Sequence, residues 1–134
     1  MKIIEQFLDT SLPKQAWTHH AHLAVGLWHL LAHTPTESLL LMRCRIIAYN
    51  NATNTPNTLE SGYHETLTYF WLWAIQEFLK TQDRQEPFEQ LLQKLLASPF
   101  GDRALPFRYF DRNRLFSIEG RGKILAFDES IGVW

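Results

Sequence analysis

Residues 15 to 36 contain no Lys, Arg, Asp or Glu, yet WTHHAHLAVGLWHLLAH within that stretch holds five of the chain's six histidines. A segment that excludes formal charge is one that a fold can bury, because an unpaired charge in a core is costly. Thr18 is a capping residue, and the spacing after it fits a helix running to about Ala32 or His33. Residues three or four apart share a helix face, so Leu23, Leu27, Leu30 and Leu31 form one apolar side. His19, His22, Gly26, His29 and His33 recur in steps of three and four beside it, and His20 falls on the opposite edge. The imidazoles, Gln15, the threonines and Pro35 argue against a membrane span.

The rest of the chain reads as helical as well. Lys2 to Leu8 can form a short amphipathic helix, which Pro13 separates from the charge-free segment. Thr34-Pro35-Thr36-Glu37 combines a cap, Pro at the first helical position and Glu three residues after the cap, and predicts a helix to about Tyr49. NNATNTPNTLESG, residues 50 to 62, reads as a long irregular connection, with Asn50 and Asn51 ending one helix and Ser61 placed to cap the next. A strongly periodic helix then runs from Tyr63 to about Lys80, and FEQLLQKLLA forms another between Pro87 and Pro99. The C-terminal part predicts one or two helical turns and irregular chain. No strand-like alternation persists. The expectation is an all-α fold, a single domain over residues 1 to 134, built as a bundle of four or five helices with an irregular C-terminal segment.

Composition narrows the function classes. Thirteen basic against fourteen acidic residues leave a net charge of −1, so no global field attracts nucleic acid or an anionic membrane. The lone Cys44 excludes an internal disulfide framework, and its apolar run, LLLMRCRII, suggests a buried, inert thiol. The N-terminus lacks the pattern of a signal peptide, which makes the cytoplasm the default location.

The chemistry gathers at two places. On the helix after residue 63, Leu67, Trp71, Ala74, Ile75 and Phe78 share a face, and His64 at its start points inward, with Glu65 at the edge. A buried imidazole needs a partner, be it a hydrogen bond, water or a metal. His19 and His22, one turn apart, can meet one ion, and His64 can complete a three-histidine site for a divalent ion such as Zn, Fe or Ni. Glu65 is then the fourth ligand or the base for a bound water, in an enzyme acting on a small molecule. Two other readings stay open. In one, the same histidines form a hydrogen-bonded core of a non-catalytic interaction module or homo-oligomer. In the other, they act as a metal-free acid/base site. Arg112 and Arg114 can bind an anionic group or pair with Asp111 or Asp102. Tyr63 and Tyr69 flank the site, and Trp73, opposite Trp71, offers a face to a second copy.

At WTHHAHL and GYHETLT the chain resembles a family of small bacterial helical proteins with His-x-x-His-Leu and Tyr-His-Glu-Thr motifs, and RYFDRNRLFS looks like that family's C-terminal portion. The resemblance points to His19, His22, His64 and Glu65 without naming a reaction. A looser similarity is to DinB-type helical bundles, whose three histidines bind a divalent metal and whose members include thiol-dependent transferases. There the histidine pair comes late, whereas here it comes early.

Overall fold

The computed structural model describes residues 1–128 and is all-α, with no strand among the described residues. Among the described residues seven α-helices run in the order α1 (Lys2–Leu8), α2 (His19–Ala32), α3 (Pro35–Ala52), α4 (Glu65–Leu79), α5 (Phe88–Ala97), α6 (Arg112–Leu115) and α7 (Ile118–Gly122), with short 3₁₀ turns among them. The bundle proper is α2 to α5. The two shortest helices, α6 and α7, are the turns expected in the C-terminal part.

Local chemistry sets the boundaries. Thr18 Oγ1 accepts the Ala21 N–H at 3.2 Å and starts α2. Thr34 and Glu37 exchange two hydrogen bonds, 2.9 and 3.2 Å, in a capping box with Pro35 just inside α3. That helix runs past the expected end at Tyr49, through Asn50 to Ala52, and stops where Thr53 Oγ1 bonds the Tyr49 carbonyl and Asn54 takes a φ of 56°. Asn50 is therefore helical. The cap of α4 is His64 and not Ser61, whose hydroxyl instead closes the preceding loop on Thr58 and Pro56. Gly62, with a φ of 96°, lets this loop turn back on Asn57, whose side chain accepts the Tyr63 N–H at 3.0 Å.

The absence of charge on α2 reflects its position. It packs against α1, α3, α4 and α5, and Leu23, Ala24, Val25 and Leu27 are all fully buried. A helix apolar nearly all round belongs in a core. Gly26 sets the approach of α2 to α4, since a Cβ there would lie 2.9 Å from Ile75 Cδ1. On the far side Phe7 stacks on Trp17 at 4.6 Å, and the Tyr49 hydroxyl donates to the Leu12 carbonyl at 2.9 Å, tying α3 to the chain just after α1.

A second core joins α4 to the C-terminal segment through Phe70, Ala74, Leu105, Phe110, Leu115 and Leu125. Thr66 fastens it, donating to the Lys123 carbonyl at 2.7 Å and accepting the Leu125 N–H at 3.2 Å. Trp73, half-buried, belongs to this packing, with Tyr109 and Phe127 rings at 5.2 and 5.0 Å. Cys44 is also displaced from expectation: it is exposed, because α3 is buried on one face only. No described helix is long and apolar enough to cross a membrane.

Candidate functional site

His64 is buried, 8% exposed, as its inward position on the α4 stripe predicts. Its partners come from the protein. Nδ1 accepts the Leu67 N–H at 3.1 Å, capping α4, and Nε2 lies 2.8 Å from the Leu115 carbonyl, which can only accept. The ring is therefore the neutral Nε2–H tautomer with both nitrogens engaged. Burial lowers its pKa to about 4, partly offset by the Leu115 carbonyl.

His29 obeys the same logic in the α2–α3 contact. Nδ1 donates to the Val25 carbonyl at 2.8 Å, and Nε2 accepts from the Arg45 guanidinium at 2.7 Å. It is fully buried, although its register places it at the edge of the leucine face. Its pKa is lowered to about 4, first by burial. His33 packs edge-on against Trp28, and His20 is exposed.

His19 lies 3.0 Å through Nε2 from the Gly101 carbonyl and packs its ring against Trp71. His22 differs from the others. The Thr18 carbonyl, one turn back, is the one group that acts on its ring as a hydrogen-bond partner among the described residues. Its ring sits edge-on to Trp17, with centroids 3.9 Å apart. Burial, His19 and Arg103 hold it neutral, with a pKa lowered to about 4.

The expected ligand set of His19, His22 and His64 is not assembled as a metal centre here. His64 has no lone pair left to give, and His19 points Nε2 at a carbonyl. No group of three or more His, Cys, Asp or Glu side chains among the described residues is arranged to hold an ion. Glu65 is likewise committed. Arg43 Nε donates to Oε1 at 3.0 Å, the Tyr63 hydroxyl donates to the same oxygen at 2.5 Å, and Arg43 Nη2 pairs with Oε2. Burial raises the carboxyl pKa, but the Arg43 and Tyr63 hydrogen bonds and the Arg43 charge outweigh it and leave it lowered. A carboxylate held this way braces the start of α4 and is a poor base. Tyr63 is pushed up by burial and by Glu65, so it stays protonated.

What α2, α3 and α4 do enclose is a cavity of about 320 Å³. Trp17, Met42, Ile46, Trp71, Leu72 and Ile75 give it apolar walls, and His22, Asn50, Tyr63 and His64 supply polar atoms. Asn50 is 8% exposed, and its side-chain amide has no hydrogen-bond partner among the described residues. The cavity thus presents two polar groups with a free hydrogen-bonding position among the described residues, the Asn50 amide and one nitrogen of His22, both accessible from the pocket; the one fully buried side-chain polar atom without a partner there lies elsewhere, at Ser38 Oγ.

The sequence pattern places Asn50 at a helix end. Its stripe is legible there nonetheless, because Met42, Ile46 and Asn50 recur every four residues on α3 and share a face. The arginines 112 and 114 are not paired with Asp111 or Asp102. Arg112 lies over the Phe107 ring at 4.0 Å, and Arg114 donates to the Ala126 carbonyl, while Asp111 caps α6.

No family model, curated protein or solved structure matches this chain.

Proposed function

We propose that this protein binds a small, mostly apolar molecule in the α2–α3–α4 cavity, with His22 and Asn50 contacting a hydrogen-bonding group on it. The observation that carries this reading is a pair of accessible polar side chains, His22 and Asn50, each with a hydrogen-bonding position not taken up by the protein, in mostly apolar walls. Such a composition, apolar lining with a few convergent polar groups, is the usual make-up of a ligand pocket, and the volume lies at the lower end of the usual range. At about 30 Å³ per water-sized volume, about 320 Å³ accommodates roughly ten such volumes, the size of a ligand of about ten heavy atoms.

The electrostatics define the role of His22. A pKa of about 4 keeps the imidazole neutral at pH 7 and makes it a weak base, so its free nitrogen serves as a hydrogen-bond acceptor. Asn50 offers a donor and an acceptor, which suits a hydroxyl or amide on the ligand. A divalent ion held by His64 would cost at least the Leu67 N–H hydrogen bond to Nδ1, and with it the α4 cap.

Trp17 and Trp71 line the cavity and report on occupancy. Titration of their fluorescence with 1-decanol is expected to saturate at one molecule per chain, unaffected by chelator. Asn50→Leu is expected to weaken decanol at least fivefold while leaving decane unchanged. Equal binding of decanol and decane to the unmodified protein sinks the role of the polar pair. Stoichiometric metal in untagged protein, lost in His64→Ala, would replace this reading with a metal centre.

A further inference from the structure

Resting on that reading, we infer that the ligand is an amphipathic carboxylate. Its charged end sits in a groove beside the cavity, its apolar body lies in the cavity, and a hydrogen-bonding group at its far end meets His22 and Asn50.

The cavity does not stand alone. Trp17, His22, Leu67 and Trp71 line it and also line an adjoining groove of about 790 Å³. These four side chains are the boundary the two spaces share, the cavity mainly apolar and the groove mixed. The groove is edged by Thr18, His19, Asp102, Arg103, Phe107 and Arg112. Neither guanidinium is neutralised: Arg103 and Arg112 are exposed, and neither forms an ion pair or a hydrogen bond to a carboxylate among the described residues. Phe107 supports Arg112 from beneath at 4.0 Å and orients its plane. Arg103 is near enough to His22 to depress the imidazole's proton affinity, which ties the groove's charge to the cavity wall.

Planar guanidinium groups suit a carboxylate, to which they donate parallel hydrogen bonds. Asp102 is the opposing charge in the groove. One of its oxygens accepts the Ala104 N–H at 3.0 Å. With two cations against one carboxylate, the groove favours a singly charged anion over a dianion. The start of α2, at Thr18 and His19, lies in the same groove and adds a modest positive potential. A ligand satisfying both spaces carries a carboxylate at one end, an apolar body and a hydrogen-bonding group at the far end that meets His22 and Asn50. An ω-hydroxy fatty acid is the simplest compound of this kind.

The test compares ω-hydroxydecanoate with 1-decanol at low salt, by tryptophan fluorescence and calorimetry. The carboxylate is expected to bind one to one and at least tenfold more tightly than the alcohol. Butyrate, a head without a tail, is expected to bind at least thirtyfold more weakly than ω-hydroxydecanoate. Arg103→Gln combined with Arg112→Gln is expected to remove the advantage of the carboxylate to within threefold and to leave decanol unchanged. Both positions are exposed, so far-UV circular dichroism should confirm an intact fold. Decanol binding as tightly as the carboxylate, or a double variant without effect, overturns the groove assignment and leaves the cavity reading standing. Failure of both tailed compounds overturns the cavity reading itself.

Discussion

Replacing His64 by Asn separates the two jobs its ring performs. Asn caps helices well, so the Leu67 N–H keeps an acceptor, while the Leu115 carbonyl loses the Nε2–H that now satisfies it. At pH 7.5 the orphaned buried carbonyl is expected to cost about 1 to 3 kcal/mol. Acid reverses part of this. His64 binds a proton in the unfolded chain near its ordinary pKa of 6.5 but in the folded protein only near 4. Between those values the unfolded state holds more protons, so stability present above pH 6.5 is lost as pH falls toward 4. Going from pH 7.5 to 5.0, that difference amounts to at most about 2 kcal/mol for this one group. The variant lacks it, so the gap between variant and parent should narrow by about 2 kcal/mol and nearly close at pH 5.0. With a urea slope of about 1 to 3 kcal/mol/M, the parent's midpoint should fall by roughly 1 M more than the variant's. A gap unchanged between the two pH values would refute the claim that the ring is held neutral by its surroundings.

Removing the Arg43 side chain in Arg43→Met leaves the buried Glu65 carboxylate with Tyr63 alone, and a loss of about 2 to 3 kcal/mol is expected by chemical denaturation. Stability within 0.5 kcal/mol of the parent (about the scatter of a neutral surface change) would show that the ion pair does not hold α4 in place. Gly62 and Gly26 should respond differently to Ala. Gly62→Ala forces a φ of 96° on a side chain that also meets backbone at 2.7 Å, whereas Gly26→Ala meets only the movable tip of Ile75 at 2.9 Å. The first is expected to cost about 1 to 3 kcal/mol and the second to fall within about 1 kcal/mol of neutral, because Ala favours the helix. Thermal unfolding of both variants checks the order, and the reverse order would contradict the loop geometry.

The candidate site is legible in the sequence only in part. The inward direction of His64 and its need for a partner come from the α4 periodicity, and both hold. Which partner it takes does not. Leu115, fifty-one residues further on, supplies the carbonyl, and Arg43, twenty-two residues earlier, claims Glu65. An imidazole at metal-ligand spacing and one at hydrogen-bonding spacing look alike in sequence, because the lone pair goes to whatever group the distant chain delivers. For that reason the histidines are divided among a helix cap, a core hydrogen bond and one ring left facing a cavity.

Capping signals, helix periodicity and the charge-free run at residues 15 to 36 determined the helices and the burial of α2, since these depend on neighbours within a turn or two and on the cost of desolvating charge. The tertiary structure alone decided that α3 runs on far enough to set Asn50 against a cavity between α2, α3 and α4, and that Arg103 and Arg112 share a groove with His22. Those outcomes rest on how side-chain volumes fill the space between helices, a quantity that no single helix's sequence contains.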